Sequence, residues 1–321
     1  MSPKIHSLIS DSELDVELLD DLKDRILDQK HFYTAEFAAD LYYKNRDAKS
    51  TYFKNSLDMS NYLNFFKNSI PVKKENTVLI SLGCGDSGFE KSILNSLEDE
   101  GLHFSYIGVD SSRYMLELSA KSLEKSKFKR SFVCGDFSAH NFRSEIGYLV
   151  NNYKNKVFGL LGGTIGNITP TNIVDTLGNM LKKGDYLWIT IVLRNGLSEE
   201  SNFETFNYYA NYLTDNMVSQ FKFNPLKRLN VPYENGKLVL EMHKEDFIGA
   251  LRFVFSFEFT KKTSINFRDE KIIILPGEKI ELLNNRAYDI DIFKKFFIEH
   301  DFKCVAEEGK GRRGQILLMK K

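Results

Sequence analysis

The sequence predicts an α/β protein: a doubly wound, mostly parallel sheet, preceded by a helical segment and interrupted late by an α+β insertion. Three observations carry this. Between residues 77 and 196, apolar runs of strand length alternate with helix-patterned stretches, as a parallel sheet covered on both faces requires. The first of those strands runs into the Gly-rich turn Gly83-x-Gly85-x-x-Gly88, the kind of turn that lets a cofactor approach the backbone. After residue 196 the alternation stops and period-two patterning takes over, which argues for antiparallel strands.

Element by element, residues 13–69 are helix-patterned and rich in Phe and Tyr, and read as three helices before Pro71. "TVLISL" is a buried strand, and "FEKSILNSL" sets Phe89, Ile93 and Leu97 on one helical face before the stop at Gly101. "FSYIGVD" (104–110), "KRSFVCGD" (129–136), "NKVFGLLGG" (155–163) and "GDYLWITIVL" (184–193) are the next strands. Helices over "RYMLELSAKSLEKS" and "TNIVDTLGNML" fall between them. "SNFETFNYYANYLTDNMVSQFKF" reads as one long helix, and in "RFVFSFEF" Arg252, Val254, Ser256 and Glu258 alternate with Phe253, Phe255, Phe257 and Phe259. A helix, a strand, a Gly turn and a last strand close the chain. The expected organisation is a helical segment or lid over 1–69, a cofactor-binding domain over 70–196 plus 286–321, and an inserted substrate domain over 197–285.

Composition narrows the function. Lys+Arg and Asp+Glu both number 44, so net charge is zero and no basic footprint for nucleic acid or an anionic membrane appears. The three cysteines and six scattered histidines make neither a disulfide framework nor a metal motif. The first residues lack the charged and apolar regions of a signal peptide, and no apolar run reaches membrane length. A cytoplasmic protein acting on a small molecule, without nucleic-acid or membrane partners, is expected.

Taken literally, GxGxxG suggests a dinucleotide. Two carboxylates argue otherwise. Asp86 lies inside the loop and Glu90 just after it, and at an effective dielectric of ~20 each would oppose a nearby phosphate charge by about 4 kcal/mol before screening. The same groups are neutral or favourable toward an ammonium or sulfonium, so the loop favours S-adenosylmethionine (SAM). Asp110, closing the second strand, suits ribose hydroxyls in either cofactor. Asp136 suits an exocyclic adenine amine. As bland alternatives, Asp110 is a helix cap and Asp136 an ordinary turn residue.

"GLLGGTIGNITP" (159–170), at the end of the fourth strand, is a small-residue passage ending in an amide. With "LGCGDSGFEK", "GVDSS" and "GDF", it makes the chain resemble the SAM-dependent histidine-specific methyltransferases, which trimethylate the α-amine of histidine in ergothioneine biosynthesis and have relatives acting on other amino acids. The resemblance implies the class I methyltransferase fold, SAM as cofactor, and contacts to it from Gly83, Gly85, Asp86, Asp110, Asp136, Phe137 and Gly162. It implies that Asn167 holds the substrate carboxylate, that Tyr212 shares that task, and that Tyr33 caps the site. The family's acid and hydroxyl that read the imidazole correspond to about Leu283 and Asn285. Neither group is present there, so Asn285 is a substrate-contact candidate and histidine is not the expected substrate. The expectation is N-methylation of another amino acid or close analogue. The rivals are methylation of RNA or protein, and a silent SAM-binding member.

Overall fold

The computed structural model describes residues 5–34, 59–70, 76–102, 104–139, 141–194, 196–214 and 216–321. The chain opens on a short strand, β1 (Ile5–Ser7), within the segment expected to be helical. Helix α1 (Asp11–Asp24) starts at a capping box: Ser10 Oγ accepts from the Glu13 amide, and the Glu13 carboxylate accepts from the Ser10 amide. It ends at Arg25 in the left-handed conformation. A 3₁₀ turn follows at Gln29–Phe32, and then α2 (Met59–Ser69).

The expected alternation follows: β2 (Thr77–Leu82), α3 (Gly88–Asp99), β3 (Phe104–Asp110), α4 (Arg113–Ser122), β4 (Lys129–Cys134), α5 (Phe142–Val150), β5 (Asn155–Leu160), α6 (Pro170–Met180) and β6 (Tyr186–Leu193). The stretch read as one long helix is two, α7 (Glu199–Thr214) and α8 (Asn216–Arg228). Then come β7 (Gly236–Glu245), β8 (Ala250–Phe259), β9 (Thr263–Phe267), β10 (Glu270–Ile274), β11 (Lys279–Tyr288), α9 (Ile290–Glu299), β12 (Phe302–Lys310) and β13 (Arg313–Lys320).

The main sheet runs β1-β4-β3-β2-β5-β6, parallel throughout, and β6 then pairs with two partners. Antiparallel β13 lies along it and carries β12. At its end, Val192 and Leu193 pair with Ala287 and Tyr288 of β11, which continues into β8 and β7. This is the doubly wound arrangement expected from the sequence, with the insertion's strands fused to the same sheet.

Period-two burial explains the two helix layers. Val78, Ile80 and Leu82 face a core formed with α5, α6 and α9, whereas Leu79 faces one formed with α2, α3 and α4. Trp188 and Leu317 point to the second layer, between Leu187/Ile189 and Ile316/Leu318 on the first. A third core joins the four phenylalanines of β8 to α1, α8 and β11. Each large apolar side chain so buried contributes about 1.5–3 kcal/mol. The N-terminal segment spans both parts. β1 pairs with β4, while the Leu27 amide donates to Glu281 O at 2.9 Å and the Glu281 amide to Arg25 O at 2.8 Å. No helix among the described residues is long and apolar enough to cross a membrane.

Candidate active site

A cavity of about 390 Å³ lies at the carboxyl ends of β2 to β5, where the strand order reverses and ligands of open α/β sheets bind. Its floor is the turn after β2. Gly83 and Gly85 have φ of +70° and +53°, which costs glycine little and other residues more. A Cβ at Gly83 would sit 2.8 Å from Thr164 Cγ2. The Gly83 and Cys84 amides donate to Val109 O at 2.8 and 2.9 Å, binding the turn to β3. The Gly85 amide donates to Asp110 Oδ2 at 2.8 Å, and the Gly88 amide to Asp86 Oδ1 at 3.0 Å, closing the entry to α3. Cys84 lines the cavity, but burial pushes its thiol well up, which leaves it unreactive.

The carboxylates of Asp86, Glu90 and Asp110 border this cavity beside the turn, with Asp28 and Asp136 further along it. Asp86 is 6% exposed and Glu90 2%. Burial raises Glu90 from 4.5 to about 7, against the Ser81 hydroxyl that donates to it. Burial likewise raises Asp110 from 3.8 to about 6, against the amides of Ser112 and Gly85. Ser112 itself caps α4 through its Oγ, so Asp110 is not the helix cap. A positive ligand beside Glu90 and Asp110 would favour their ionised forms.

Asp136 follows β4 and lines the same space beside Phe137. It accepts from Lys30 Nζ at 2.8 Å and from the Ser138 amide at 2.8 Å. Burial works against its charge, but Lys30 outweighs that and holds the carboxyl below its ordinary value. Lys30 also contacts Glu17 at 2.7 Å. Burial opposes its charge too, yet Asp136 and Asp28 raise it overall. No spacing in the sequence marks Lys30, because its partner lies 106 positions away.

The passage after β5 forms the far wall. Gly162 is at φ +68°, and a Cβ there would meet no atom within 4 Å, so a side chain would project into open space. Thr164–Asn167 is a 3₁₀ turn, ended by Ile168 before Pro170 starts α6. Asn167 lines the cavity, and its Oδ1 is buried with no hydrogen-bond partner among the described residues. A buried acceptor left unpaired costs about 1–3 kcal/mol, so the group is poised for a ligand donor.

Tyr33 reaches the cavity from the N-terminal segment. Its ring packs on Phe221 with centroids 5.5 Å apart, and its carbonyl accepts from Ser112 Oγ at 2.6 Å. Tyr212 belongs to α7, but its side chain lies outside the described residues. Asn285 does not line the cavity; its neighbour Asn284 does. A bulge between Glu281 and Leu283 is the reason. It puts Asn285 opposite Phe253 and Asn284 opposite Val254, reversing which of the two a regular strand would present. Among the described residues no group of His, Cys, Asp or Glu could hold a metal.

The model of the family described as "Histidine-specific methyltransferase, SAM-dependent" matches residues 30–309. The chain belongs to this family. No curated protein matches it. Solved structures similar to it include a SAM-dependent methyltransferase from Clostridium acetobutylicum, 13% identical, with a TM-score of 0.45, covering 88% of this chain and 98% of that one. Another is DhpI in a complex with SAM and HEP, 9% identical, with a TM-score of 0.45, covering 94% and 97%. The N-methyltransferase NodS from Bradyrhizobium japonicum, with S-adenosyl-L-homocysteine, is 6% identical, with a TM-score of 0.42, covering 90% and 98%.

The protein is thus a SAM-dependent methyltransferase, and the cavity fits that cofactor. Its carboxylates suit a sulfonium and an ammonium, and they oppose a pyrophosphate. The open space at Gly162 admits a ligand close to the backbone. When bound, SAM supplies an electrophilic methyl on a positively charged sulfur. Asp110 and Asp136 would stand beside the bound cofactor, Asp136 with one oxygen shared with Lys30 and the other with Ser138.

Proposed function

We propose that this methyltransferase acts on the α-amine of an amino acid or close analogue other than histidine. One observation carries the reading: the unpartnered Oδ1 of Asn167, buried in the cavity wall. The Asn167 amide offers a donor to a substrate carboxylate through Nδ2 and an acceptor to the substrate nitrogen through Oδ1. Tyr33 closes the site from above, and Tyr212 is assigned to the carboxylate by resemblance. The residues act by alignment and desolvation. A water-poor cavity lowers the pKa of the substrate ammonium and delivers the neutral amine, whose proton leaves before transfer.

The position matching the family's imidazole-reading acid is Leu283, which is buried opposite Phe255 in the apolar core. That position does not line the cavity and offers an imidazole N–H no acceptor, and a site lacking that partner disfavours histidine. In this proposal the insertion over 197–285 is the substrate domain, and residues 1–69 supply the lid.

The test is to incubate the protein with methyl-labelled SAM and each proteinogenic amino acid, following product by mass. Transfer to an amino acid other than histidine is expected. Asn167→Ala should keep SAM affinity within about twofold and lose about 10²-fold in turnover. Trimethylation of histidine as the preferred reaction would sink the substrate assignment, and collapse of SAM affinity in the variant would sink the role of Asn167.

A further inference from the structure

We infer that the ion pair between Glu245 and the buried Arg286 is a positioning device for Asn167, acting from the inserted strands on the wall of the cavity. The inference rests on the reading of Asn167 above. Arg286, on β11, is 3% exposed. Its guanidinium engages Glu245 of β7 in a fork, Nε to Oε2 at 2.7 Å and Nη2 to Oε1 at 3.1 Å. The remaining arm, Nη1, donates to Gly166 O at 3.4 Å and Ile168 O at 3.1 Å. Those are the carbonyls immediately before and after Asn167. One rigid planar group therefore holds the backbone on both sides of the residue whose amide faces the cavity.

Two further contacts bind the same turn to the same strand. Tyr288 Oη donates to Ile165 O at 3.1 Å. Gly166 lies so close to β11 that a Cβ would be 3.3 Å from Arg286 N and 3.4 Å from its O. Glu245 also reaches Arg252, with Nε 3.6 Å from Oε1, and Arg252 Nη1 donates to Asn284 Oδ1 at 3.4 Å. Two amides of the cavity wall, Asn167 and Asn284, are thus tied to one carboxylate.

Energetics favours a positioning role over a merely stabilising one. An ion pair with one partner buried and the other part-buried is often no more stabilising than apolar residues of the same volume, since desolvation offsets its attraction. What the fork adds is orientation. Arg286 and Glu245 do not line the cavity; they act through Asn167.

The experiment uses the full chain with SAM present and compares wild type, Arg286→Met, Arg286→Lys, Glu245→Gln and Asn167→Ala. Hydrogen exchange is followed at the Gly166 and Ile168 amides, which donate to Gly163 O and Ile165 O. Arg286→Met should speed exchange there by on the order of 10-fold while β2–β5 stay protected. Methyl transfer to a mixture of the twenty proteinogenic amino acids should fall about 10²-fold at unchanged SAM affinity, with partial rescue by Arg286→Lys. The double variant Asn167→Ala/Arg286→Met should be no slower than Asn167→Ala alone. Unchanged exchange at the turn, or losses that multiply in the double variant, would overturn the inference. If Arg286→Met does not fold, Glu245→Gln carries the same readouts. If wild type transfers no methyl from the mixture, the functional reading fails, and turn exchange alone upholds or overturns the positioning role.

Discussion

Replacing Glu90 by Gln isolates the charge of the cofactor cavity. Glu90 is almost wholly buried, and burial lifts it from 4.5 to about 7. At about 1.4 kcal/mol per pH unit, that rise corresponds to about 3 kcal/mol. The sign follows from the raised value. The protonated form is fully compatible with the fold below pH 4.5, and this contribution is lost as pH rises through about 7. Glutamine has the same shape and accepts from Ser81 as the carboxyl does, but it never ionises. The apo variant should match wild type near pH 4 and exceed it by up to about 3 kcal/mol at pH 8. Urea denaturation of both proteins across that range measures the difference, since groups that do not face Glu90 titrate alike in both. SAM binding should move the other way. A positive ligand favours the ionised carboxylate, so wild-type affinity should rise between pH 6 and 8 and that rise should shrink in the variant, by isothermal calorimetry. A stability difference that is the same at pH 4 and pH 8 would refute the reasoning.

Gly83→Ala and Gly162→Ala share a left-handed φ but differ in space. The first should cost about 2 kcal/mol or more, adding a clash with Thr164 to the strain, and the second about 1 kcal/mol, both read by thermal or urea denaturation. Equal costs would show that Thr164 gives way. Lys30→Met leaves Asp136 half-enclosed without its cation and should destabilise the protein by about 3 kcal/mol at pH 7. Asp136 sits below its ordinary 3.8, so its share of stability is present above that pH and lost below it. A penalty that persisted undiminished at pH 3.5 would point to packing rather than charge.

Much of the site was legible because its residues end predictable elements. Asp110 closes a buried strand, Gly83 and Gly85 open a helix, and Asn167 ends a small-residue run that the family resemblance marked. Asp86 and Glu90 were legible as charges, though not as buried ones. β1 was not legible, because three residues carry no period and become a strand only beside β4. Asn284 was missed by one position, since a bulge changes the face of a strand without any mark in its alternation. Lys30, Glu245 and Arg286 were missed altogether, since ordinary polar residues at no special spacing look like solvated surface.

The sequence by itself determined the alternation of strands and helices over 77–193, the cofactor turn and the carboxylates that disfavour a pyrophosphate. These depend on local periodicity and on side-chain chemistry, both of which are written in neighbouring residues. Only the tertiary structure decided which acids are buried, which amide of β11 reaches the cavity, and what holds Asn167 in place. Those properties arise where segments over 100 positions apart meet, as Lys30 meets Asp136 and Arg286 meets Ile168, and burial or pairing acquires its energy only at that meeting.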